Sequence, residues 1–253
     1  MRPGRLHLLD DGTAAPFARF VAELEAQAPF DTVALEPDRS GASAADLEAG
    51  QLGWAWRVVD EYRSALRFTE LLGELLEAQA PFAALATVHR LIGDELRHAR
   101  HCAPLPAAFG PHDHLRIELD GLGWQGPPRP PLERALEIVL RELVIGEGES
   151  IACLRAYQRA ATDPAAARVL DLLLEDEVRH FAAGRHVEEL LCERHPALRA
   201  FAASLEPVLL DDVRSIRGQH RADARGGPGR RYGVSIRLEE APPAVPDVPP
   251  APG

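Results

Sequence analysis

The feature that most limits how this chain can fold is a repeat. The pattern Asp-Glu-x-Arg-His occurs at 94–98 and again at 176–180, with its two glutamates 82 positions apart. Each copy follows a proline break in a long helical run. Glu95 lies 14 residues past Pro81, and Glu177 lies 13 past Pro164. The two breaks are themselves 83 positions apart, so pattern and break recur together. A duplicated helical hairpin is the simplest chain that satisfies both spacings.

The helical runs are legible from apolar periodicity. Trp54, Val58, Leu66, Leu72 and Leu76 predict a first long helix from 46 or 51 to 79. Ala80-Pro81 stops it, and Pro81 suits the first turn of a second helix ending at 101 or 102. Residues 103–131 are so dense in proline and glycine that a long irregular connection is expected. A third helix runs from 131 or 132 to about 161. Thr162-Asp163-Pro164 is a stop and restart, with Asp163 as N-cap and Pro164 in the first turn of a fourth helix to about 193. His195-Pro196 opens a further helix to about 217. A short helix over 17–28 and a polar loop to about 45 precede the hairpins. The expected organisation is an N-terminal extension (1–50), a four-helix bundle (51–193), a C-terminal helix (194–218) and a flexible Arg/Gly/Pro-rich tail (219–253).

Composition agrees with an all-α chain. Apolar residues make up 46 % but aromatics only 6 %, so the core is mainly Leu, Ala and Val, which suits closely packed helices. The net charge of -11 argues against nucleic-acid binding through a basic face. All 28 basic residues are Arg, so an arginine at any one position is weak evidence of function. Cys102, Cys153 and Cys192 are odd in number and form no C-x-x-C pair, which leaves no disulfide framework and no four-cysteine metal site. The N-terminus lacks the apolar stretch of a signal peptide, and no apolar run approaches a membrane span. A cytoplasmic protein without membrane or nucleic-acid partners is expected.

Residues three apart share a helix face. Glu95 with His98, and Glu177 with His180, therefore each offer a carboxylate and an imidazole to one metal ion. Closing a two-metal site between four helices takes one Glu from each of the other two, at matching height. On the first helix Glu61 stands 20 residues before Pro81 and Glu70 only 11, too close to the turn; Glu61 is preferred. On the third helix Glu147 and Glu149 stand 17 and 15 before Pro164, and height does not separate them. The apolar stripe Leu136, Leu140, Leu143, Leu154 passes through 147 and not 149, which selects Glu147 and holds Glu149 in reserve. Asp94 and Asp176 are expected to accept from the second imidazole nitrogen of the histidine on the other hairpin. His101 reads as a helix-end residue, His89 and His186 as core histidines, Tyr62 and Tyr157 as packing, and Cys153 as a small core residue. Arg221, Arg225, Arg230 and Arg231 read as a solvated tail.

The segments DEYRSALRFTELL, DELRHARHC, GEGESIACLRAY and DEVRHF resemble the ferritin-like superfamily, which includes rubrerythrins, bacterioferritins and di-iron oxidases and oxygenases. They look most like a stand-alone bacterial branch, and the resemblance covers roughly 51–193. It implies a ferritin-like four-helix bundle whose ligands are Glu61, Glu95, His98, Glu147, Glu177 and His180. It further implies two Fe ions, with Mn or a mixed Fe/Mn pair as variants, that meet O2 or peroxide. The chain departs from full rubrerythrins in lacking a rubredoxin centre. It departs from ferritins in its N-terminal extension, long crossover and Pro-rich tail. The leading expectation is an oxidoreductase with a small organic substrate and an unidentified electron donor, with a homodimer as one assembly. The alternatives are an iron-handling ferroxidase or peroxide-detoxifying protein, and a helical interaction protein with a vestigial site.

Overall fold

A computed structural model describes residues 6–7, 15–26, 36–112, 115–117, 122–223 and 226–234. The chain begins with two-residue strands β1 (Leu6–His7) and β2 (Ala15–Pro16), then helix α1 (Phe17–Glu25). Ser43 starts the first long helix, α2 (Ala44–Glu77). Its hydroxyl accepts from Asp46 N at 3.1 Å, and the Asp46 carboxylate accepts from Ser43 N at 3.3 Å, a reciprocal cap for two orphan donors. Gln79 takes φ 51° at the turn, and α3 (Phe82–Cys102) returns antiparallel along α2.

The crossover differs from the irregular connection expected over 103–131. It carries a short helix, α4 (Pro104–Phe109), and strand β3 (Arg116–Ile117), which lies between β1 and β2 in a small antiparallel ribbon. Pro104 and Pro106 fall in the first turn of α4, where a missing N–H leaves no helical bond unmade. Phe109 and Leu105 from this segment are buried in the core, which holds the segment in place.

The third helical run is not one regular helix. It consists of α5 (Pro131–Ile138), a π stretch (Val139–Gly146) and α6 (Glu147–Ala160). Asp163 then caps α7 (Pro164–Arg194), accepting from Ala166 N at 2.8 Å. The extra C-terminal helix, α8 (Leu198–Asp223), runs past the expected end near 217. The described residues are thus mostly helical. α2 packs on α3 and on α5, α6 packs on α7, α3 packs on α7, and α8 lies against the π stretch and α6. None of the described helices is long and apolar enough to cross a membrane.

Two apolar clusters lie along this core. One gathers Trp54, Val58, Cys102, Cys153, Tyr157 and Leu170; the other gathers Phe68, Leu71, Leu91, Leu140, Leu143 and Leu191. Residues 226–234, expected to belong to a flexible tail, pack over the end of the first cluster. Trp54 Nε1 donates to Tyr232 O at 3.0 Å, and the Thr162 and Asp163 amides donate to Arg231 O. Tyr232 is fully buried against Phe109, and its hydroxyl donates to Asp38 O at 3.0 Å. This segment therefore ties the start of α2 to the α6–α7 turn. Arg230 is exposed, whereas Arg231 reaches Asp38 and Ser40. The side chain of Arg221, the whole of Arg225 and the Pro-rich end lie outside the described residues.

Candidate metal centre

Between the two apolar clusters sits a polar layer. Glu61 from α2, Glu95 and His98 from α3, Glu147 from the first turn of α6, and Glu177 and His180 from α7 are all buried. Burying six such groups together costs several kcal/mol unless each charge is paired. Their ligand atoms fall into two groups, each with all its atoms within 4.8 Å of one another: Glu61, His98 and Glu177, and Glu95, Glu147, Glu177 and His180. Glu177 belongs to both groups, as a ligand bridging two ions would.

The geometry inside the layer is informative. His180 Nδ1 lies 2.8 Å from Glu95 Oε1 and 3.3 Å from Glu177 Oε2; His98 Nδ1 lies 3.5 Å from Glu61 Oε2 and 3.7 Å from Glu95 Oε2. Yet Glu95 Oε1, Glu177 Oε2, His98 Nδ1 and His180 Nδ1 are buried and make no hydrogen bond. Buried polar atoms are almost always satisfied. Atoms that crowd together without bonding one another share a missing partner, and a cation between them is the partner that carboxylate oxygens and imidazole nitrogens have in common. Four ionised carboxylates also match the charge of two divalent ions. The residues present therefore fit a dinuclear metal group.

Of the outer nitrogens, that of His98 is hydrogen-bonded from behind, and that of His180 has a carboxylate near it without a hydrogen bond. His98 Nε2 stands 2.9 Å from Asp176 Oδ2, and His180 Nε2 stands 3.4 Å from Asp94 Oδ2. Each aspartate thus faces the histidine of the other hairpin. A proton on Nε2 leaves the Nδ1 lone pair free for a metal. Arg97 joins the two aspartates, at 2.8 Å from Asp94 Oδ1 and 2.9 Å from Asp176 Oδ2, and Arg179 also pairs with Asp176. On the other side Arg57 lies 3.7 Å from Glu61 Oε1.

Without a cation, the protons redistribute. Burial pushes Glu95 and Glu147 upward. Burial, with the Glu147 charge beside it, raises Glu177 to about 7. Burial opposes a charged His98, but the Glu61 and Glu95 carboxylates outweigh it and raise the imidazole to about 10. His180 is raised in the same way: burial opposes its charge, and Glu147, Glu177 and Glu95 outweigh that. The layer holds extra protons that a cation would displace.

Other residues weighed in the sequence lie elsewhere. Glu149 is buried but turns to α8, accepting from Arg214 Nε at 2.9 Å. Glu70 accepts from Trp124 N at 2.9 Å. His89 and His186 are exposed, not core histidines as expected, because each sits on the solvent side of its helix. His101 is half-buried beside the centre, with its pKa lowered by burial and by the His98 charge. Tyr62 meets Phe20 edge-on at 5.1 Å, and Tyr157 and Cys153 are core residues. The sequence reading passed over Phe68, which presents its ring edge-on to His180 at 6.4 Å. It also passed over Arg57 and Arg97, whose roles a chain rich in arginine conceals.

A cleft of about 390 Å³ opens between the π stretch, α6, α7 and α8. Val144, Ile145, Phe181 and Leu210 line it together with the charged Glu149, Arg185 and Glu206, and Gly148 and Phe181 in its lining are the chain neighbours of Glu147 and His180.

Comparison with protein-family models, with curated proteins and with solved structures finds no match for this chain.

Proposed function

We propose that this chain is a dinuclear metal carboxylate protein of the ferritin-like four-helix type, most simply a di-iron oxidoreductase acting with O2 or peroxide. The observation that carries the reading is the convergence of buried carboxylate and imidazole groups from four helices on two adjacent points, with atoms of Glu95, His98, Glu177 and His180 left without a hydrogen bond. Glu61, His98 and Glu177 would hold one ion; Glu95, Glu147, Glu177 and His180 would hold the other. Hard carboxylates with imidazoles suit iron or manganese. Bound iron would supply electron transfer to O2 or peroxide at coordination positions the protein leaves open.

The chain's own groups have definable tasks in that reaction. Asp176 fixes the His98 imidazole with Nδ1 inward, and Asp94 stands opposite the outer nitrogen of His180. The Phe68 ring and the apolar clusters above and below keep bulk water out of the layer. The cleft beside Gly148 and Phe181, part apolar and part charged, favours a small organic substrate over iron handling alone, since storage or ferroxidation needs no such cleft. Three free cysteines, all buried, suit a reducing compartment such as the cytoplasm.

Anaerobic loading with Fe(II), followed by exposure to O2 or hydrogen peroxide, tests the reading. Oxidation of about two Fe(II) per chain in wild type, and its loss in Glu95→Ala, is the expected result. A chain that takes up no Fe(II) would refute it.

A further inference from the structure

Gly184 lies one helical turn beyond His180 on α7, facing the π stretch. A Cβ placed there would stand 2.6 Å from Leu143 Cβ, 3.0 Å from Leu143 C and 3.1 Å from Leu143 O. Two of these neighbours are backbone, so no rotamer change relieves the contact. Leu143 is in the π stretch, one turn before Glu147. Gly146, the last residue of that stretch, is equally constrained: its Cβ would stand 2.8 Å from Arg141 O. Such crowding is not general to the glycines near the centre. At Gly93, two residues before Glu95, an added Cβ would meet nothing within 4 Å.

The two metal positions do not depend on this contact equally. One takes Glu61 and His98 from the regular helices α2 and α3, with Glu177; only the other takes Glu147, the first residue after the π stretch. A wide π turn is an unusual local geometry that recurs at functional sites. Here it seats Leu143 against the bare backbone of α7 and delivers Glu147 toward Glu177 and His180.

We propose that Gly184 is a positioning residue: by letting α7 touch the π stretch at Leu143, it sets the reach of Glu147 and so builds the metal position bounded by Glu95, Glu177 and His180, while the other position is linked to it only through the shared Glu177. The inference rests on the dinuclear reading above. It predicts two unlike positions, one made by regular helices and one by a helix distortion.

The test uses Co(II), titrated into the metal-free full-length chain and followed by its visible d–d absorption and by bound-metal analysis. Wild type is expected to bind about two ions per chain. Gly184→Ala should keep one ion at nearly wild-type affinity and weaken the other by about 10- to 100-fold. Gly93→Ala should keep both. A general loss of packing would weaken both ions together, so selective loss of one is the signature of positioning. If Gly184→Ala does not fold, Gly146→Ala perturbs the same segment from within and should show the same selective loss. Two tight ions in Gly184→Ala, or equal weakening of both, overturns the inference while leaving the dinuclear reading standing. No Co(II) bound by wild type overturns both.

Discussion

The polar layer makes a prediction about the metal-free protein that is opposite to intuition for a buried carboxylate cluster: removing a charge should stabilise it. Glu177 is the sharpest case. Its pKa rises from 4.5 to about 7 in the fold, through burial and the Glu147 charge. A carboxylate whose folded pKa lies above its unfolded value contributes most below pH 4.5, and that contribution is lost as pH climbs through about 7. The interval corresponds to a ceiling of about 3 kcal/mol above neutral pH. Glu177→Gln keeps the shape and removes the charge. In the presence of a chelator at pH 8, it should raise unfolding stability by about 1–3 kcal/mol. Near pH 5, where wild-type Glu177 is already protonated, the same substitution should change stability by less than about 0.5 kcal/mol. Urea denaturation of both chains at the two pH values measures this. Equal effects at both pH values, or destabilisation at pH 8, would refute the argument that uncompensated charge is stored in this layer. His98 acts in the same sense over a higher window. Its imidazole, raised from 6.5 to about 10, contributes stability below 6.5 that is lost as pH rises through 10. The metal-free chain should therefore weaken steadily from acid toward alkaline pH. The metal-bound chain should gain over the same range, because its ligands must shed protons.

Further predictions follow from single contacts. Asp176→Ala removes the acceptor 2.9 Å from His98 Nε2 and should weaken metal binding by about 10- to 100-fold in a chelator-competition titration; unchanged affinity would deny Asp176 its positioning role. Glu149→Gln should leave metal stoichiometry unchanged, since Glu149 is engaged with Arg214; loss of an ion would mean that Glu149 is a ligand. Tyr232→Ala empties a fully buried site beneath Trp54 and Phe109 and should cost about 3 kcal/mol of unfolding free energy, read as a lowered urea midpoint. A loss below about 0.5 kcal/mol would show that residues 226–234 do not hold the bundle end together.

Much of the fold follows from local signals in the chain. Ala80-Pro81 and Asp163-Pro164 mark the two hairpin turns because capping and proline chemistry act over a few residues. What the sequence hid was set by long-range packing. The π stretch has no composition of its own; it reads as an apolar helix, and its close contact with Gly184, some 40 residues later, is visible only in the fold. Residues 226–234 look like a polar, glycine-rich tail, yet Tyr232 is fixed by Trp54, 178 positions away. In the crossover, proline and glycine punctuation masked α4, whose prolines sit where a first turn tolerates them. At the centre, three-residue spacing was enough to pair Glu95 with His98 and Glu177 with His180. Height alone left Glu147 and Glu149 level. The apolar stripe separated them, and the structure turns Glu147 toward Glu177 and His180 and Glu149 toward Arg214.

Metal analysis of the purified chain tests the central claim most directly, with wild type compared against a Glu95→Ala, Glu177→Ala double variant after identical loading with Fe(II). Glu177 is common to both candidate positions and Glu95 belongs to one, so the double variant damages both. About two ions per wild-type chain and almost none per variant chain are expected. Equal metal content in the two proteins would contradict it.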